Sequence, residues 1–106
     1  MRWVVLGSLL AGCGGDGTSL TFQWTVLDGS TAVPCPDGSE VEASLPVAYE
    51  VWPCADGSGT LTGLPDGQHR AELALLDSSA NVIATFSRIV ALAGEPVEEP
   101  AVFVLP

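Results

Sequence analysis

Leu20-Thr21-Phe22-Gln23-Trp24-Thr25-Val26 alternates apolar and polar residues without a break. A period of two puts Leu20, Phe22, Trp24 and Val26 on one face and the polar residues on the other, the pattern of a half-buried β-strand. A second such segment follows at Gln68–Leu76, where His69, Ala71, Leu73 and Leu75 share a face opposite Arg70 and Glu72. Val41–Leu45, Val47–Trp52 and Thr60–Leu64 read as shorter strands, the last of them at an edge. In Val47–Trp52, Val47, Tyr49 and Val51 take one face, and Ala48, Glu50 and Trp52 the other. Val82–Leu92 is a long strand in which Val82, Ala84 and Phe86 are in phase but Arg88 falls on the same face. The expectation is therefore a bulge near Ser87-Arg88. Ala101–Leu105 is a final apolar strand, expected to be buried between neighbours.

Turn chemistry separates these segments. Asp28-Gly29, Asp37-Gly38, Asp56-Gly57 and Pro65-Asp66-Gly67 punctuate the chain, Ala32–Ser39 reads as loop, and Asp77–Asn81 suits a hairpin. Glycine and proline recur too often for helices to persist. Short strands between turn signals predict one all-β domain, a small Ig-like antiparallel β-sandwich. The four Asp-Gly pairs raise the question of calcium. None extends into an Asp-x-Asp-x-Asp-Gly loop, so they read as turns and no metal site is expected.

The start of the chain has a different grammar. Met1-Arg2 supplies a positive charge, Trp3–Leu10 a short apolar run, and Ala11-Gly12 small residues before Cys13. That is the layout of a signal peptide. A membrane span needs roughly 20 apolar residues, and Gly14-Gly15-Asp16-Gly17 ends this run well short of that. Leu10-Ala11-Gly12-Cys13 resembles the lipobox of bacterial lipoproteins. The resemblance implies that residues 1–12 are a signal peptide, that Cys13 becomes the acylated first residue of the mature chain, and that residues 13–19 form a Gly-rich tether. Residues 20–106 are then the β-sandwich domain. The implied partner is the membrane, through the lipid on Cys13, and the implied location is the bacterial cell envelope. Gly14 stands where an Asp would favour inner-membrane retention, so by the same resemblance the outer membrane is expected.

The chain has three cysteines. If Cys13 takes lipid, Cys35 and Cys54 remain as a pair, and export to an oxidising compartment makes them a disulfide. The rival use, a metal site built from Cys35, Cys54 and His69, lacks the Cys-x-x-Cys spacing of such sites.

Charge narrows the function further. The full chain carries −10. Without Arg2, the cations are Arg70 and Arg88 against thirteen acids, which leaves −11. Nucleic-acid binding requires Lys and Arg to displace counterions and is excluded, as is a polybasic contact with lipid headgroups. His69, the one histidine, has no Gly-x-Ser-x-Gly elbow or other nucleophile motif to serve, and it reads as a packing residue. No catalytic residue and no cofactor is expected. Trp24 lies on the apolar face of its strand and reads as core, whereas Tyr49 and Trp52 are candidate ligand contacts.

Gly63-Leu64-Pro65-Asp66-Gly67-Gln68-His69, with the strand and polar turn after it, resembles the Leu-Pro-x-Gly-x-Tyr hairpin of prealbumin-like and carboxypeptidase-regulatory-like sandwich domains. His69 stands where those domains have tyrosine. Trp24 with Asp28, then Cys35, then Trp52-Pro53-Cys54-Ala55-Asp56-Gly57, is similar to small lipoproteins of myxobacterial type. The resemblance implies a surface sandwich with no shared catalytic activity. The function expected is a non-catalytic structural or interaction module of the envelope whose partner is an unknown envelope protein or glycan. The alternative is a glycan- or peptide-binding module of the cell surface.

Overall fold

A computed structural model of the chain describes residues 17–106. The expected signal peptide and Cys13 lie outside the described residues. The elements are β1 (Thr18–Asp28), β2 (Thr31–Val33), β3 (Glu40–Leu45), β4 (Ala48–Pro53), a 3₁₀ turn (Cys54–Asp56), β5 (Ser58–Leu64), β6 (Gly67–Leu76), β7 (Val82–Leu92) and β8 (Val97–Leu105). They form two four-stranded sheets packed as a sandwich.

β1 is the spine of the first sheet. One of its edges is shared by β5, antiparallel along Thr18–Gln23, and β2, antiparallel along Val26–Asp28. β8 runs along the other edge from Leu20 to Asp28, and this pairing is parallel. The antiparallel β-sandwich stands as expected, with this one parallel pairing added to it. The parallel pair arises because the chain leaves β7 in the second sheet and enters β8 beside the start of β1, with Leu20 opposite Val97. A parallel neighbour needs a long connection, and here every other strand lies between the two. The second sheet has the order β4-β3-β6-β7 and is antiparallel throughout.

The core follows from the alternation. Leu20, Phe22, Trp24 and Val26 of β1 face Val41, Ala43 and Leu45 of β3 and Ala71, Leu73 and Leu75 of β6, all buried. Phe103 and Ala101 of β8, Leu61 and Leu64 of β5, Ala84, Val90 and Leu92 of β7, and Cys54 complete the interior. β8 departs from the expectation of a strand buried between neighbours. It is an edge strand whose Val102 and Val104 point outward and are exposed. Glu98, Glu99 and Pro100 in its first half carry the charge and the missing N–H that blunt an edge against unwanted pairing.

The expected bulge at Ser87-Arg88 is absent. The register of β7 on β6 runs unbroken from Leu92 opposite Gly67 to Ala84 opposite Leu75, and shifts only between Leu75 and Leu76. Ala84, Phe86, Arg88, Val90 and Leu92 therefore form one row. Arg88 is tolerated there because its guanidinium lies 5.3 Å from the Phe86 ring centre and reaches the rim to pair with Glu99 of β8. The stem packs while the charge stays wet.

The fold also begins earlier than expected. Thr18 and Ser19, assigned to the tether, belong to β1, and the buried Thr18 hydroxyl donates to Asp66 Oδ1 at 3.1 Å. Gly17, at φ +84°, lies so close to Gly63 that a Cβ would strike its backbone. Within the expected loop, Thr31–Val33 turns back on β1 as a short strand.

Cys35 and Cys54 form a disulfide with Cα atoms 5.9 Å apart. It ties the loop after β2, in the first sheet, to the end of β4, in the second. With 19 residues of separation, the loop-entropy argument assigns the bond about 3 kcal/mol of stability. Replacing both cysteines by serine should lower the free energy of unfolding by about that amount, measured by urea denaturation. Reducing the wild-type chain should bring it to a similar midpoint.

Candidate functional site

β4 separates the two candidate ligand contacts. Odd and even positions of a strand point to opposite faces, so Tyr49 looks outward and Trp52 looks into the sandwich. Trp52 packs against the core, its ring centre 5.9 Å from that of Trp24. Trp24 is 8% exposed, and its Nε1–H donates to the Cys54 carbonyl at 2.9 Å. The backbone N–H of Trp24 donates to Gly57 at 3.1 Å. Two indoles and the disulfide thus build one corner, and the structure does not bring Trp52 and Tyr49 together. A cleft of about 440 Å³ opens beside this corner, between Trp24, Val33, Pro34, Cys35 and Cys54. No ionisable side chain among the described residues lines it.

Gly59 of β5 is part of the same corner. A Cβ there would fall within the indole of Trp52. Gly59→Ala should destabilise the fold by about 1–3 kcal/mol through overpacking, with a matching fall in thermal midpoint. Trp52 fluorescence should shift to the red as the ring is displaced.

His69 closes the other end of the core. It is buried on β6, and its Nε2 lies 2.6 Å from the Pro65 carbonyl. A carbonyl only accepts, so this nitrogen carries the proton and is not a free base. The glycines of the four Asp-Gly pairs all have positive φ, from +67° to +123°, as tight turns require. No group of three or more His, Cys, Asp or Glu side chains placed to hold a metal ion occurs among the described residues.

The chemistry left open to solvent converges on the outer face of the second sheet. The registers place Ser44 of β3 opposite Tyr49 of β4 and Glu72 of β6, and Glu42 opposite Val51 and Ala74. Ala74 and Glu72 in turn face Thr85 and Ser87 of β7. Small side chains at Ser44, Ala74, Thr85 and Ser87 leave a half-open groove of about 440 Å³. Glu42, Glu72 and Arg70 stand around it. Arg70 Nε donates to Glu72 at 3.0 Å, and Tyr49 Oη donates to Glu42 at 2.6 Å. Alternation alone marks each of these residues as outward. Which strands lie side by side was not legible, so the groove escaped sequence reasoning.

Tyr49 is 61% exposed, yet its phenol is held above its ordinary value of 10.0. The hydrogen bond to Glu42 is the main cause, with the charges of Glu42 and Glu40 adding to it. Asp77, in the hairpin after β6, is held below the usual carboxylate range. It accepts N–H groups from Asn81 and Ser79, each at 2.9 Å.

No family model and no curated protein sequence matches the chain. Among solved structures it is similar to the pilus-presented adhesin Cpa, with 14% identity and a TM-score of 0.42 over 95% of this chain. It spans 30% of the length of that protein.

The chain has one tyrosine, so its phenolate absorbance reports Tyr49 alone. The titration midpoint should lie above that of a free tyrosine, and Glu42→Gln should lower it. The neutral phenol is the form that donates. The stability this bond contributes is therefore present below the ordinary tyrosine range and is lost as pH rises through the folded midpoint.

Proposed function

We propose that this chain is a lipid-anchored, non-catalytic interaction module of the bacterial envelope. The observation that carries the reading is how the side chains divide. His69, Trp24, Trp52 and the cysteine pair, the groups most often recruited for chemistry, are each committed to holding the fold. Glu42, Arg70, Glu72 and three hydroxyls are instead arranged around an open groove. A structure of this kind is suited to holding a partner. Of the alternative, a glycan- or peptide-binding module, the groove favours the peptide-binding form.

The lipobox-like Leu10-Ala11-Gly12-Cys13 supports the anchor, and the −11 charge of the mature chain suits an exported soluble domain. Three residues separate Cys13 from Gly17, where the fold begins. Even fully extended, that stretch spans at most about 14 Å. The anchored domain would stand close to the lipid on the end formed by Thr18 and the β5–β6 turn. The loops at Asp28–Thr31, Pro34–Gly38 and Asp77–Asn81 would point away. Outer-membrane residence and kinship with prealbumin-like, myxobacterial-type lipoproteins are part of the proposal, and both rest on the sequence motifs.

Intact mass of the detergent-extracted protein from its native host tests this reading. The expected species begins at acylated Cys13 and gains two hydrogens on reduction. An unmodified chain that retains Met1 would overturn the anchor.

A further inference from the structure

We propose that the groove on the outer face of β3, β6 and β7 binds a cationic side chain of a peptide partner, held by Glu42 and Glu72. The inference deepens the reading of the chain as an interaction module and rests on it.

Charge points to the occupant. Of the thirteen acids, Asp16 lies outside the described residues, which leaves twelve against Arg70 and Arg88. Both arginines are already paired, with Glu72 and Glu99. The protein's field therefore draws cations and repels anions. The groove concentrates that field at two carboxylates, each held in place. Glu42 accepts from Tyr49 Oη and Glu72 from Arg70 Nε. Holding acceptors before the ligand arrives lowers the cost of ordering them on binding. Each carboxylate keeps unused lone pairs, since an ionised carboxylate offers about four acceptor positions. The small floor leaves room for an ammonium or guanidinium, and the hydroxyls of Ser44, Thr85 and Ser87 offer further acceptors.

The same geometry disfavours the other occupants. A sugar ring wants an aromatic platform. Trp52 faces the core, and Tyr49, though exposed, does not line the groove. An anionic ligand would meet two carboxylates with one cation, already engaged.

Binding of a fluorescent pentalysine peptide to the full chain in neutral detergent tests the proposal. A neutral N-acetylglucosamine tetramer serves as the comparison ligand. Glu42→Gln and Glu72→Gln should each weaken peptide binding about tenfold, as expected for loss of a charge-assisted hydrogen bond. Glu98→Gln removes the same charge from the outer face of the other sheet and should change it less than about twofold, as a screened remote charge does. Backbone amide shifts in the wild-type chain should move at Ala74, Thr85 and Ser87, a readout that needs no variant to fold. Equal weakening by Glu98→Gln, shifts confined to other faces, or no peptide binding would each overturn the proposal. Binding of the tetramer without the peptide would also overturn it, while leaving the interaction-module reading in place.

Discussion

The inward row Leu20, Phe22, Trp24 and Val26 of β1 is the constraint on which the rest of the structure depends. Each member is buried, and β1 is hydrogen-bonded along both edges to three other strands. A one-residue slip would turn all four side chains to water and Thr21, Gln23 and Thr25 to the core. Register is therefore fixed by the hydrophobic pattern, and β5, β2 and β8 inherit it. The exposed row of the same strand is sealed differently, by polar pairs such as Thr21 with Thr60, whose hydroxyls lie 2.8 Å apart. The second sheet then has one apolar surface to cover, and β3 and β6 supply it with their own alternating rows.

A sandwich this small buries a modest core, and its two sheets are tied together at a corner. The far corner is where β1 passes from β5 to β2 along one edge, leaving Trp24 between them. There the indole of Trp24 is bonded to Cys54, its backbone to Gly57, and its ring packs near Trp52. Cys54, buried beneath, is linked to Cys35. The disulfide, the Trp pair and the side-chain-free Gly59 are thus one device that joins the two sheets. Such a device explains why Trp52, attractive as a sugar platform in the sequence, is unavailable for that purpose.

Elements with a strict period of two were legible: the strands at Leu20–Val26 and Gln68–Leu76, with their buried faces, stand as expected. The misreadings share a cause. Arg88 looked like a break in phase because a cation on a core row is costly, but Phe86 and Glu99 accommodate it from two different strands. Ala101–Leu105 looked buried between neighbours because five apolar residues in a row carry no sign of which side is wet. Its place at an edge depends on where β7 delivers the chain. Thr18 and Ser19 looked like tether because the partners that place Thr18 in the sheet, Leu64 in register and Asp66 by hydrogen bond, are distant in sequence. Each error lies where a contact across the fold, which no local window contains, decides the outcome. The groove was hidden for the same reason, since it is a product of strand order.

The two outer faces of the sandwich differ in kind, and that difference carries the functional argument. The first sheet shows Thr21, Gln23, Thr25, Thr60, Val102 and Val104 to solvent, with Glu98 as the charge on its β8 row. The second shows Glu42, Arg70 and Glu72 around a floor of small side chains, with Tyr49 bonded to Glu42 from beside it. Surface charges placed only for solubility gain little from mutual hydrogen bonds, since exposed ion pairs contribute at most about 1 kcal/mol. Here the carboxylates are nevertheless fixed, one by a phenol and one by a guanidinium. In isolation that order costs side-chain entropy for little return in stability. It becomes useful when a ligand must find the acceptors already in position. The fold secures its stability from the inner rows and the stapled corner, which leaves the outer row of the second sheet available for the proposed recognition.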